Sequence, residues 1–139
     1  MNEQRRLHAG AHDERGLVGK ALVITLLILA VLGVGVLDAV SILSAKYRTA
    51  DAADRAAEET AYAYKQSHDL RGACQTAVET VEEVNHTARI PKGGCVIDPG
   101  TGDVTITVRE TASTIVAKRV DALEDFTKVV ATSTAAPAP

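Results

Sequence analysis

The sequence predicts an α+β fold: one long N-terminal helix, a second short helix and a small antiparallel sheet. Three observations predict it. The stretch from Ala21 to Leu37 is apolar and carries no charge, an Ala-rich helical pattern then continues to Ser67, and the apolar period changes to two from Cys95 onward. With one Phe, three Tyr and no Trp, the part after the apolar stretch has a thin core, and small cores of this kind usually need a disulfide, a partner or an anchor.

The apolar stretch is long enough to be a membrane-spanning helix. At about 1.5 Å per residue, Ala21 to Leu37 covers roughly 25 Å, and apolar residues resume after Asp38, so we place the span at residues 17–43, against a hydrocarbon core about 30 Å thick. A buried core helix is one alternative, but nothing else in the chain is apolar enough to surround it. A cleaved secretory signal is another, but the run is too long and ends without the small residues that signal peptidase needs.

The two cysteines of the chain, Cys74 and Cys95, both follow the predicted span. This placement is expected if the C-terminal side is oxidising and the two residues form a disulfide, with two free thiols as the alternative. Such a bridge would stabilise the domain by about 3 kcal/mol. Basic residues before the span give a weak additional indication that the N-terminus lies in the cytoplasm and the C-terminal domain outside it.

These features divide the chain into four parts. Residues 1–16 form a polar cytoplasmic tail or leader, residues 17–43 the transmembrane helix, residues 44–134 an extracytoplasmic α+β domain, and residues 135–139, rich in Ala and Pro, a disordered tail.

A heptad seam runs along the predicted long helix. Its members alternate at steps of four and three with one polar interruption: Val36, Val40, Leu43, Tyr47, Ala50, Asp54, Ala57, Ala61 and Tyr64. Small residues, including Gly33 and Gly35 in the span, allow another helix to come close. Beyond Tyr47 the seam packs either on the chain's own C-terminal part or on another subunit, whereas near the membrane we favour contact with other subunits.

The remaining elements follow from local patterns. After a break at residues 67–72, Ala73, Ala77, Val81 and Val84 repeat at helical spacing. A hairpin joins Cys95–Ile97 to Val104–Val108 through a Pro- and Gly-containing turn. Residues 113–125 have the spacing of a short helix, and residues 126–133 are rich in Thr and Val, which favours a third strand.

No residue pattern indicates chemistry. The sequence contains neither a nucleophile with a base nor a metal cluster, so we predict no enzyme, no cofactor and no small-molecule substrate. The net charge of −3 gives no reason to expect nucleic acid as a partner. Asp38 is either an interfacial residue at the end of the span or the partner of Lys20 from a neighbouring subunit.

Several motifs together resemble the TadE and TadG-like proteins of the tight-adherence (Flp) pilus system, closest to the actinobacterial type. They are a polar tail ending in Asp13-Glu14-Arg15-Gly16, a single span, an Ala-rich helix reading TADAADRAAEETAYAY, a helix containing ACQTA, and the DPGTGDVTITV hairpin. The resemblance covers nearly the whole chain. It implies a pilin-like fold and a minor pilin or pseudopilin that takes part in assembly of a pilus or a related secretion apparatus.

The resemblance also implies a location and partners. The chain would be a single-pass protein of the bacterial cytoplasmic membrane or a component of the pilus itself, in contact with the lipid bilayer and, through its N-terminal helix, with other pilin-like or assembly subunits. In such families a prepilin peptidase can cut after a Gly, here Gly16, leaving Leu17 as the new N-terminus. Members that are cut typically have Glu five residues after the cut, where this chain has Ala21, so cleavage stays open. The alternative function is a generic membrane-tethered interaction module without a role in a pilus.

Overall fold

The predicted α+β class is confirmed. The structure, a computed structural model, describes the backbone of residues 11–137 and the side chains of residues 18–137. The elements are α1 (Ala11–Ser67), α2 (Leu70–Val84), β1 (Cys95–Ile97), β2 (Val104–Thr111), a 3-10 turn (Ala117–Arg119), α3 (Asp121–Thr127) and β3 (Lys128–Ala135). The chain divides into two compact units, Met1–Leu37 and Asp38–Pro139. The C-terminal unit therefore begins at Asp38 and includes residues that the sequence assigned to the span.

The long helix ends where the sequence indicates a break. His68 follows Ser67 with a φ of 54°, and its amide donates to the Tyr64 carbonyl at 2.8 Å, so the helix closes in a left-handed residue. The Asp69 carboxylate then accepts from the Arg71 amide at 3.0 Å and caps α2. Because of this cap, α2 starts at Leu70, within the predicted break and before the apolar repeat that predicted it.

The sheet has the order β1-β2-β3, and both pairs are antiparallel. The predicted hairpin is confirmed, with Cys95 opposite Ile106. The predicted third strand is also present and pairs with β2 from Val104 opposite Ala135 to Thr111 opposite Lys128. Ala135 thus belongs to the sheet and not to the predicted tail, of which Ala138 and Pro139 lie outside the described residues.

The core of the C-terminal unit lies between the sheet and the two helices α1 and α2. Strand β2 contributes Val104, Ile106 and Val108, all fully buried. The helices contribute Val81 and five alanines, whose small side chains let the backbones approach closely: Ala53, Ala56, Ala57, Ala61 and Ala77. A second, smaller cluster joins Ala45 of α1 to Ala112 and Val129.

The predicted disulfide is present between Cys74 and Cys95, with the two Cα atoms 6.0 Å apart. It joins α2 to β1 and so ties the hairpin to the helical layer. The two free thiols that the sequence left as an alternative are therefore excluded.

The segment from Ser113 to Asp125 differs from its prediction. In place of one helix, it contains a loop, the 3-10 turn and α3, which extends to Thr127. The amides of Ile115, Val116 and Ala117 bind the Asp38 carboxylate. Because these amides point at a side chain of α1, the loop around them does not form a regular helix.

Candidate assembly interface

The N-terminal unit exposes apolar side chains. Between Val18 and Leu37, twelve large apolar residues are 52–67% exposed. The hydroxyl of Thr25 donates to the Ala21 carbonyl at 2.9 Å, which satisfies it within the helix. By length and composition this part of α1 could cross a membrane. A helix that is apolar on all sides requires lipid or other helices around it.

Gly33 and Gly35 have no packing function within the described part of the chain. A Cβ atom added at either residue would meet nothing within 4 Å. Small residues on an exposed apolar helix allow a second helix to approach its backbone. The structure therefore leaves both glycines available for contact with another helix.

From Asp38 to Ser67, α1 has two different faces. The inner face packs on the sheet and on α2 through residues with no exposed surface, among them Ala45, Thr49, Ala52 and Ala56. The outer face exposes Val40, Leu43 and Tyr47 by 59%, 53% and 70%, together with Ala50. We call Val40, Leu43 and Tyr47 the outer row.

The structure thus separates the members of the predicted seam. Val36, Val40, Leu43, Tyr47 and Ala50 are exposed. Ala57 and Ala61, in contrast, are buried in the chain's own core. The first group and the polar member Asp54, which is also exposed, therefore have surface to offer to another subunit, whereas Ala57 and Ala61 do not.

Asp38 holds the first turn of the C-terminal unit in place. Its side chain is 7% exposed, and its carboxylate accepts from the amides of Ile115 at 2.6 Å and of Val116 and Ala117 at 2.9 Å each. One turn further along α1, the Ser41 hydroxyl donates to the Ser113 carbonyl. Asp38 is therefore buried against the Ile115–Ala117 backbone of its own unit.

These bonds also bear on the pair that the sequence suggested between Asp38 and Lys20. The carboxylate has three donors within its own chain. A Lys20 ammonium from a neighbouring subunit is therefore not needed to offset the burial of Asp38.

A second buried carboxylate, Glu110, joins α1, the end of α2 and β2. Oxygen Oε2 lies 2.7 Å from both Thr49 Oγ1 and Asn85 Nδ2. Oxygen Oε1 lies 2.7 Å from Thr87 Oγ1 and 3.3 Å from Arg48 Nη2. Asn85 is the C-cap residue of α2, so Glu110 fixes the end of that helix against the inner face of α1.

The pKa of Glu110 lies below its ordinary value. Burial by itself would raise this pKa, but the hydrogen bonds from Thr87, Thr49 and Asn85 and the charge of Arg48 outweigh burial. The carboxylate is therefore ionised at neutral pH and stabilises the folded state in that form.

Sequence reasoning did not identify Glu110, although a signal was present. Val104, Ile106 and Val108 alternate along β2 with residues that face away from the core, and Glu110 continues the inward positions. A charged residue at an inward position of a strand indicates a buried partner set. Its partners come from positions more than twenty residues away, which the strand pattern does not contain.

The proposed peptidase site at Gly16 and Leu17 has a helical backbone. The side chains of both residues lie outside the described part of the chain, as do residues 1–10 altogether.

The architecture defines a class: a small disulfide-bonded α+β domain whose first helix carries an exposed apolar N-terminal segment. No protein-family model, no curated protein and no solved structure matches the chain.

Proposed function

We propose that this chain is a membrane-anchored minor pilin or pseudopilin-like subunit that takes part in assembly of a tight-adherence (Flp) pilus or a related secretion apparatus. The observation that carries the proposal is that α1 has both a buried face and exposed apolar surfaces. Its inner face from Asp38 onward holds the chain's own domain, while the outer row and twelve large apolar residues between Val18 and Leu37 are 52–70% exposed. A subunit that assembles through its N-terminal helix needs such surfaces.

The apolar segment supplies the anchor in this proposal. Its exposed side chains would be stable in hydrocarbon, where each backbone polar group is satisfied within the helix. Moving from lipid into an assembly requires the segment to prefer other helices to lipid. Gly33 and Gly35 make that possible because van der Waals packing between close backbones drives helix association in membranes.

The C-terminal domain would be carried on α1 as a rigid body. The Asp38 bonds, the Glu110 cluster and the helix–sheet core all connect the part of α1 after Leu37 to the rest of the C-terminal unit. A force or contact that positions this part of the helix would therefore position the whole domain. Such coupling is what a filament subunit requires.

The mass of the chain purified from its own membranes tests the proposal. A mature chain that starts at Leu17 would show processing by a prepilin peptidase and support the pilin assignment directly. The matched control compares Gly16→Leu, which removes the residue before the cut, with Gly19→Leu, which changes a neighbouring glycine that has open space around it. Processing should be lost in Gly16→Leu only.

An intact chain that crosslinks to other subunits in the membrane would identify a stationary assembly subunit, within the same proposal. An intact chain that stays monomeric in its own membranes would refute the proposal. It would favour the generic tethered interaction module instead.

A further inference from the structure

The segment from Ser113 to Thr127 is arranged with its large apolar residues outward. Five of them are at least 40% exposed: Ile115 (56%), Val116 (43%), Val120 (40%), Leu123 (42%) and Phe126 (67%). The residues of the same segment that are buried are small or polar, namely Thr114, Ala117 and Thr127. A cluster of exposed large apolar side chains on a small domain marks a contact surface.

This apolar cluster lies at one end of the C-terminal unit, the end where α1 enters it. The amides of Ile115, Val116 and Ala117 are bound to the Asp38 carboxylate at 2.6–2.9 Å. Asp38 follows Leu37, the last residue of the uncharged apolar stretch, directly in the chain. If that stretch spans the bilayer, Asp38 and the backbone bound to it lie at the membrane surface, since one residue adds only about 1.5 Å along a helix.

We propose that the segment Ser113–Thr127 docks onto the outer surface of the lipid bilayer, with these five apolar side chains inserted at the headgroup boundary. This inference rests on the membrane anchor of the proposed function. It gives the domain a second attachment to the membrane beside the anchor helix. The occupant of the surface is lipid and not a protein, because the covalent link to the apolar stretch brings the cluster to the bilayer in every copy of the chain.

The distribution of charge around the cluster suits an interfacial position. Leu123 and Phe126 are three residues apart and share one side of α3, and Val120 is the N-cap residue directly before this helix. The acidic residues of α3 are partly neutralised by Lys128, whose ammonium lies 3.1 Å from both the Glu124 and the Asp125 carboxylates. The 3-10 turn adds two exposed basic residues, Lys118 and Arg119, which can reach lipid phosphates. Interfacial helices of this kind lie roughly 5–10 Å deep in the headgroup region.

The absence of Trp from the chain provides a clean test. Single variants Phe126→Trp and Ile115→Trp each place one indole in the cluster, at positions that are already exposed. The full chain is reconstituted at low protein-to-lipid ratio in vesicles of phosphatidylcholine and phosphatidylglycerol. The lipids carry bromine either near the glycerol backbone or near the chain ends.

Two further variants serve as references. Leu27→Trp reports on the apolar stretch itself. Val96→Trp is the matched exposed control, since Val96 is 57% exposed and lies on β1, which the disulfide ties to α2 near the other end of α1. We expect blue-shifted emission and loss of fluorescence with shallow bromines for Phe126→Trp and Ile115→Trp. Leu27→Trp should be quenched by deep bromines and Val96→Trp by neither.

Each other outcome overturns the inference in a recognisable way. If Phe126→Trp and Ile115→Trp stay unquenched while Leu27→Trp is quenched, the anchor stands and the docking is refuted. Blue-shifted emission without quenching would mean that a second copy of the chain covers the cluster. If Leu27→Trp is also unquenched, the membrane anchor of the proposed function fails as well.

Discussion

Replacing Glu110 by Ala tests whether this buried carboxylate holds the domain together. Two of its donors have another acceptor within reach: Thr49 Oγ1 lies 2.7 Å from the Ala45 carbonyl oxygen, and Thr87 Oγ1 lies 2.7 Å from Asn85 Oδ1. The Asn85 side-chain amide instead loses the acceptor that lies 2.7 Å away. One buried donor left unpaired costs about 1–3 kcal/mol, and the lost methylene packing adds about 1 kcal/mol. We expect the free energy of unfolding to fall by about 2–4 kcal/mol.

Glu110→Gln is the matched control because it keeps the shape of the side chain. Its carbonyl oxygen can still accept from Asn85, and its amide nitrogen can donate to the Thr87 hydroxyl, which accepts as readily as it donates. The loss should therefore be limited to the charge-assisted part of the bonds, about 1 kcal/mol. Urea unfolding of the full chain in detergent micelles, followed by circular dichroism at neutral pH, gives both values. A loss of less than about 0.5 kcal/mol in Glu110→Ala, the range of ordinary surface substitutions, would contradict this role of the carboxylate.

The pH dependence of these two proteins adds a second readout. Because the pKa of Glu110 is lower in the folded state than in the unfolded state, its stabilising effect is complete above the ordinary pKa of 4.5. It is lost as the pH falls through the lower folded-state pKa. Glu110→Gln has no such titration. The stability difference between the unsubstituted chain and Glu110→Gln should therefore shrink below about pH 4.5; a constant difference would contradict the assigned direction.

Three further predictions concern other contacts. Asp38→Ala should free the loop that it binds and speed tryptic cleavage in the Ala117–Arg119 turn, whereas Asp54→Ala, an exposed carboxylate on the same helix, should not; equal rates would refute the anchoring. Ala57→Leu should lower the free energy of urea unfolding by about 1–3 kcal/mol through overpacking, while the exposed Ala50→Leu should change it by less than about 0.5 kcal/mol. The opposite order would show that the buried and exposed faces of α1 are wrongly assigned. Reduction of the disulfide should lower the same free energy by about 3 kcal/mol, and no change would show that it does not constrain the unfolded chain.

The elements that were predicted correctly are those with strong local signals. The long helix follows from apolar and Ala-rich composition without Gly or Pro between Val36 and Leu70, and the hairpin from a period-two pattern around a turn. The disulfide followed from the position of both cysteines on one side of the apolar stretch. Each of these features depends on residues near one another in the chain or on composition.

The features that were missed depend on contacts between distant residues. The apolar spacing of Ile115, Val116, Val120 and Leu123 predicted one short helix, because periodicity does not reveal that backbone amides of the segment bind a side chain elsewhere in the chain. The bonds between Asp38 and that loop join residues 77 to 79 positions apart. A pattern along one segment does not show a binding partner in a distant segment. The contacts of Asp38 and of Glu110 could therefore not be predicted in this way.

The proposal that α1 assembles through the outer row is tested most directly by disulfide crosslinking in the native membrane. Single cysteines replace Val40, Leu43, Tyr47 and, as controls, the exposed Lys46 on the flank of the helix and the buried Ala45. The proposal predicts crosslinks to other subunits at the three outer-row positions and much weaker ones at both controls. Equal yields at Lys46, or no crosslink at any outer-row position, would contradict assembly through this face of the helix.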